Sequence, residues 1–293
     1  MKKIIVIGSI SIDNVVYTKN LPQPGMTVHG ESFITNLGGK GANQACAIKF
    51  LGGDVVFYGA IGDDEHGEYV QKILKNAGLT AFLKKSKQQT GIACITIDIT
   101  SGENRIVVIK GANADITKED IDTISFKERD ILLLQLENNI HSTVYAMKKA
   151  HEAGLLVVLN PAPYAPVPKD AFQYIDYFIP NEHELEQFTP DIESDYLTRA
   201  KHLVNQGIKH VIVTLGEHGS LYVDDKQSIN IEPYKVHAVD TTAAGDSYCG
   251  AFVTALSQGK DVIESMKFAS KASSITVTRK GAISSLPKLE DLK

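Results

Sequence analysis

Cysteine is scarce in this chain: Cys46, Cys94 and Cys249 are the only three among 293 residues. They are odd in number and far apart, and no Cys-x-x-Cys occurs, which argues against a disulfide framework and against a zinc site. Each stands in an apolar context, so buried thiols in a reducing compartment are expected. Long apolar runs are missing too, and nothing approaches membrane-spanning length. Lys2-Lys3 before Ile4 to Ile7 imitates the start of a signal peptide, but the run is short, no small-residue cleavage site follows, and Asp13 arrives early. A cytoplasmic location is expected. No long Lys/Arg block offsets the formal net charge of -5, which speaks against a general nucleic-acid binder and for a small partner.

Several catalytic signatures are absent as well. Neither G-x-x-x-x-G-K-[ST] nor G-x-G-x-x-G occurs. His183-Glu184 begins like a zinc-protease helix, but Gln187 stands where the second His belongs. No Ser sits in a G-x-S-x-G elbow, so an esterase triad has no support.

What is present is an ordinary globular composition, 43% apolar and 22% charged, with material for one large α/β domain or two modest ones. Ile4 to Gly8 reads as a buried parallel strand, and from Val55 onward strands alternate with helical patterns, which predicts a mostly parallel sheet covered on both faces. Strands are expected at 55–60, 131–136, 155–159, 176–179 and 210–214. Segments 12–18 and 30–36, around Pro22-Gln23-Pro24-Gly25, and 92–99 and 105–110, around Ser101-Gly102-Glu103-Asn104, lack the helices that parallel strands require. They predict a small antiparallel sheet projecting from the main domain, suited to be a lid and to pair with a second subunit. No repeat or second-domain boundary interrupts residues 1–293; the lid is drawn from about 12–36 and 90–110.

The chain is organised around residues 239–252, VDTTAAGDSYCGAF. A strand end runs through small residues into a helix start, whose free N–H groups and dipole attract anions. Ala243, Ala244 and Gly245 carry no bulk to keep a phosphate away. Asp246 is either a base removing a proton beside that phosphate or simply a helix cap. Gly38, Gly39 and Gly41 allow close backbone approach to a ligand, and Asn43 offers the donor and acceptor a sugar hydroxyl matches. A glycine turn packing a helix on the sheet explains them equally. Asp13, Glu137, Asn181 to Glu184, and Thr214 to Gly219 each follow a strand, at the rim where parallel sheets bind ligands. Each alone reads also as a solvated turn.

Taken together, GGKGANQA (38–45), LNPAP (159–163), PNEHE (180–184), TLGEHG (214–219), DTTAAGDSYCGAF (240–252) and TRKGA (278–282) resemble the ribokinase family of sugar and nucleoside kinases, over essentially the whole chain. The resemblance implies a mostly parallel central sheet flanked by helices, with a small β lid that closes over the sugar and forms a homodimer contact. It implies ATP, magnesium and a monovalent cation, usually potassium, as cofactors, and a sugar as the substrate. It makes Asp246 the base and Ala243, Ala244 and Gly245 the anion hole. Asp13, Gly39, Lys40, Gly41, Asn43 and Glu137 fall at sugar-contacting positions, with Ala93 and Ile95 on the apolar lid surface. Asn181, Thr214, Leu215, Gly216, Glu217, His218, Gly219 and Ser270 fall where the nucleotide is held, and Glu184 where magnesium is handled, through water. Asp240, Thr242, Thr276, Arg279, Gly281 and Ser285 match the monovalent-cation site, several through backbone carbonyls. Ser11 departs from the pattern: family members acting on ribose usually carry Asn there, contacting ribose hydroxyls. Ribose phosphorylation at the 5-hydroxyl is the first expectation, with deoxyribose, another furanose or a nucleoside as alternative acceptors, and a non-catalytic sugar sensor as the reading from a different class.

Overall fold

The four apolar residues Ile4-Ile5-Val6-Ile7 explain how the molecule is layered. Alternate side chains of a strand point to opposite faces, and all four here are apolar, so both faces must be covered. Ile4 and Val6 enter one apolar core and Ile5 and Ile7 the other, and none of the four is more than 3% exposed.

The structure is a computed structural model describing residues 1–293. The first part of the chain gives β1 (Ile4–Ile7), β2 (Ser11–Thr18), β3 (Gly30–Gly38), α1 (Lys40–Phe50), β4 (Val55–Gly62), α2 (Glu65–Asn76) and β5 (Thr80–Ser86). Next come β6 (Gly91–Asp98), β7 (Asn104–Ile109), α3 (Lys118–Asp122), β8 (Ile131–Leu134), α4 (Ile140–Glu152), β9 (Leu156–Leu159) and β10 (Tyr177–Phe178). The rest is α5 (Glu182–Phe188), α6 (Tyr196–Asn205), β11 (His210–Thr214), β12 (Ser220–Val223), β13 (Ser228–Ile231), α7 (Ala244–Ser257) and α8 (Val262–Thr276).

The main sheet has the order β13-β12-β11-β10-β9-β8-β1-β4-β5. It is parallel from β11 to β5, and the β12–β13 hairpin adds an antiparallel edge. Helices α1, α7 and α8 cover one face; α4 and α6 cover the other. Every residue of α7 from Asp246 to Ser257 is buried, as a helix apolar on all sides requires. The sequence pattern gave no sign of β5, β12 and β13: β5 is a half-exposed edge strand, and the other two are four residues each.

The second sheet has four strands in the order β3-β2-β6-β7. The antiparallel pairs β2–β3 and β6–β7 match the expected hairpins, but the sheet is joined along its middle by a parallel pairing of β2 with β6. A parallel pair needs a long crossover, and here α1, β4, α2 and β5 of the main domain supply it. Cys46 and Cys249 are buried as expected, whereas Cys94 is exposed. Cys94 stands on β6 between Ala93 and Ile95, so the strand's alternation turns it to the opposite face.

Candidate active site

Helix α7 begins without a side-chain cap. Its N-cap residue, Ala243, adopts the left-handed conformation with φ 59°, uncommon for a residue with a Cβ. The N–H of Ala244 turns back to the carbonyl of Thr241 at 3.2 Å, while those of Gly245 and Asp246 find no backbone acceptor. A Cβ built on Gly245 would meet no atom within 4 Å, so the space above those N–H groups is open.

Asp246 does not act as a cap. Its carboxylate, in a residue 6% exposed, turns toward α1: Oδ2 accepts from Asn43 Nδ2 at 2.9 Å and Oδ1 from Gln44 Nε2 at 2.9 Å. Two close helix contacts allow this. Gly41 lies against Gly8, where a Cβ would come within 2.5 Å of the Gly8 Cα, and Gly250 lies against Ala47, where a Cβ would come within 2.6 Å of the Ala47 Cβ. Asn43 Oδ1 is buried and has no hydrogen-bond partner, an omission that costs about 1–3 kcal/mol unless a ligand supplies the donor.

Beside this pair lie the other expected sugar-side residues. Glu137 Oε2 accepts the backbone N–H of Lys40 at 3.0 Å and the Ser9 hydroxyl. Ser11 Oγ donates to Asp13 Oδ1 at 2.7 Å, and Gly38 leaves room for that carboxylate, since a Cβ there would overlap it. Burial pushes the Asp13 carboxyl above its ordinary value, and the charges of Glu137 and Asp246 push it further, against the Ser11 hydrogen bond. Burial alone would lower the Lys40 ammonium, but Asp246, Glu137 and Glu184 together hold it above its usual range. Ala93 pairs with Asp13 across the small sheet and Ile95 with Val15, so both apolar side chains share the face that carries Asp13. Gly39, with φ 90°, packs on the backbone of Ile10 and Ser11.

A cleft of about 200 Å³ runs from Asp246 along Lys40, Asn160, Asn181, Glu184, Thr214 and Thr241, with Cys249 in its wall. Asn181 and Glu184 form a capping box: Glu184 N donates to Asn181 Oδ1 at 2.8 Å and Asn181 N donates to Glu184 Oε2 at 2.9 Å. Burial raises the Glu184 carboxyl above its ordinary value. Thr214 bridges to Asn181 at the end of β11. Leu215 and the turn Gly216–His218 with Gly219 follow directly, outside the lining of this cleft. Ser270 is buried on α8, near the Tyr248 hydroxyl.

The segments expected to hold a monovalent cation do meet. Asp240 accepts from Thr242 N and from Gly281 N, each at 2.9 Å, and burial, which would raise its carboxyl, is outweighed by those bonds. Thr276 Oγ1 donates to Ser247 Oγ at 2.8 Å, Ser285 Oγ donates to the carbonyl of Ala282 at 2.7 Å, and Arg279 pairs with Asp291 at 3.1 Å. Each of those three side chains is thus bound to a neighbouring group. No three His, Cys, Asp or Glu side chains converge on a metal cage.

Sequence reasoning missed Gln44, Asn160 and Cys249 as parts of this site. The signal was present for two of them: Gln44 is inside GGKGANQA, and Asn160 directly follows the apolar run of β9. Cys249 sits three residues beyond Asp246, one helical turn along α7.

A family model described as pfkB family carbohydrate kinase matches residues 1–289. The chain is similar to the ribokinase of Schizosaccharomyces pombe, 38% identical over 99% of this chain and 96% of that one. It is also similar to a deoxyribokinase of Salmonella typhi, 36% identical over 98% and 96% of the two chains. The solved ribokinase structure from Thermotoga maritima superposes with a TM-score of 0.93, at 37% identity over 100% of this chain and 98% of that one. This chain belongs to the pfkB family of carbohydrate kinases.

Proposed function

We propose that the chain transfers the γ-phosphoryl group of ATP to the 5-hydroxyl of D-ribose, giving ribose 5-phosphate and ADP. The observation that carries this is the Asp246 carboxylate, set between an open helix N-terminus and the unpartnered Asn43 Oδ1. A sugar hydroxyl donating to Asn43 Oδ1 satisfies that atom and brings the sugar against the base. Asp246 takes the proton of the 5-hydroxyl as its oxygen attacks the γ-phosphorus in line; the bond to the β–γ bridging oxygen breaks and ADP leaves. The N–H groups of Gly245 and its neighbours stabilise the negative oxygens, and Lys40, framed by Asp246, Glu137 and Glu184, adds positive charge. Asp13 and Glu137 hold the other sugar hydroxyls. Asn181, Thr214 and the turn Leu215–Gly219 hold the nucleotide. Residues 1–293 act as one domain, and the small sheet closes over the site as its lid, with Ala93 and Ile95 excluding water.

Glu184 keeps one carboxylate oxygen outside its capping box and faces the cleft, which suits a magnesium ion held chiefly by phosphates and water. Magnesium, when bound, neutralises charge on the transferring phosphate. Asp240 ties 240–242 to 279–285, and the carbonyls of those segments suit potassium, whose charge reinforces the anion hole. The small sheet also exposes Phe33, Ile106, Val107 and Val108, which supports a homodimer joined through it. No helix is long and apolar enough to cross a membrane; a cytoplasmic location is the accompanying proposal.

A second reading has its own support. Ser11 is short and its hydroxyl is spent on Asp13, so a pentose lacking the 2-hydroxyl loses little here, as with the deoxyribokinase relative. ATP consumption measured with ribose, deoxyribose, fructose and adenosine, with and without potassium, decides. Ribose or deoxyribose is expected to lead; fastest turnover of adenosine contradicts the proposal, and sugar binding without ADP release makes the chain a sensor.

A further inference from the structure

Gln44 is fully buried on α1, and its amide has no freedom left. Nε2 donates to Asp246 Oδ1 at 2.9 Å and to Asn160 Oδ1 at 3.0 Å, while Oε1 accepts from Gln135 Nε2 at 2.6 Å. Asn160 in turn donates to the carbonyl of Ile179 at 2.9 Å. Turning the Gln44 amide over would set its oxygen against the Asp246 carboxylate and the Asn160 amide oxygen, whose own NH2 is held by the carbonyl of Ile179. The donor aimed at Asp246 is therefore fixed in direction.

Gln135, Asn160 and Ile179 follow the C-terminal ends of β8, β9 and β10, three adjacent strands of the main sheet. Asn43, on the other carboxylate oxygen, differs: its Oδ1 is unpartnered, and nothing behind it locks the amide. The two neighbours in sequence thus divide the carboxylate between them, Asn43 on the side where a donor is missing and Gln44 on the side anchored to the sheet.

We propose that Gln44 is a positioning residue for the reaction: through the Gln135–Gln44–Asn160 amide network it fixes the plane of the Asp246 carboxylate relative to the main sheet. An amide cannot take up the proton that Asp246 receives, so Gln44 adds no proton transfer; that proton stays on Asp246 until product leaves. A base held in attack geometry gives up no entropy at the moment of transfer. The inference rests on Asp246 being the base.

The test is Gln44→Met, which keeps the volume and removes the donor, with Gln44→Glu beside it. For Gln44→Met, kcat falls roughly ten- to a hundredfold, the scale of one hydrogen bond to a charged group. KM for sugar and for ATP stays within about twofold. In an Asp246→Asn background the same substitution causes no further loss, because Gln44 acts through Asp246. In Gln44→Glu, activity relative to the unsubstituted protein recovers as pH falls and the new carboxyl becomes a donor again, so the role stays testable should the Met variant fail to fold. Turnover of Gln44→Met within twofold of the unsubstituted protein overturns the proposal. So does an equal loss in both backgrounds, or a Gln44→Glu profile parallel to the original. Normal turnover in Asp246→Asn removes the base itself; an inactive Asp246→Asn beside a fully active Gln44→Met removes only the role of Gln44.

Discussion

Asn43 and Asp246 stand 203 residues apart in sequence and 2.9 Å apart in space, joined from Nδ2 to Oδ2, and the other amide atom of Asn43 is buried without a partner. A buried acceptor left unmade in the free protein is a place kept for a donor the ligand brings. Asn43→Ala removes both the acceptor for the sugar and one support of the base. With it, kcat/KM for sugar is expected to fall roughly ten- to a hundredfold, the scale of one hydrogen bond to a charged group, with KM for ATP within about twofold. Steady-state kinetics with each substrate varied in turn checks it; an unchanged kcat/KM for sugar contradicts it.

The same substitution at two glycines of α7 should lower activity by different routes, with loss of stability at only one of them. At Gly250 a methyl group meets Ala47 Cβ at 2.6 Å and the carbonyl of Gln44 at 3.0 Å, so Gly250→Ala wedges α1 from α7. Overpacking of this kind costs about 1–3 kcal/mol, read as a lower Tm, and activity falls with it because Asn43 and Gln44 retreat from Asp246. At Gly245 a methyl group meets nothing, so Gly245→Ala keeps its Tm. It fills the opening over the free N–H groups, and kcat drops by roughly a hundredfold, the order of one lost anion-hole donor. Thermal melts and kcat on the two variants separate these effects.

Asp13 should cost the unliganded fold stability at neutral pH. Burial, with Glu137 and Asp246 adding to it, raises its carboxyl above the unfolded value of 3.8, so between the two pKa values the folded state binds more protons than the unfolded one. Its contribution is fully present below the unfolded pKa and is lost as pH rises through the raised folded pKa. Asp13→Asn has no proton to lose there. The variant is expected to unfold at higher urea than the parent at pH 7, with the gap closing toward pH 4, while sugar phosphorylation declines. A gap that widens on acidification contradicts the sign.

The exposed apolar face of the small sheet makes a separate prediction. Phe33 is 61% and Val107 64% exposed, and a charge placed there opposes burial against a second copy. Val107→Asp should shift the protein from dimer to monomer in sedimentation at micromolar concentration and leave the Tm of the monomer nearly unchanged. A protein that sediments as a monomer before substitution removes the dimer proposal.

Part of this architecture was legible in the sequence and part could not be. The uninterrupted run Ile4 to Ile7 announces a doubly covered strand, and the small residues before Asp246 announce an open helix start, because both are local properties. The choice between base and cap for Asp246 was not legible, since it turns on Asn43 and Gln44, more than 200 residues away in sequence. The parallel pairing of β2 with β6 escaped for a similar reason: the crossover joining them is the main domain itself. Cys94 looked buried because its neighbours are apolar, and strand alternation turned it outward. Ser11 showed a lost amide in the sequence, but only the structure reveals that its hydroxyl is bound to Asp13.

Asp246→Asn is the most direct measurement, because it keeps the shape of the side chain and removes the base. Sugar-dependent ADP release is predicted to fall by about 10²–10⁴-fold, the usual contribution of a positioned base, while ADP and sugar still bind and raise the Tm. Turnover near that of the unsubstituted protein would show that some other group takes the proton, and Asp246 would not be the base.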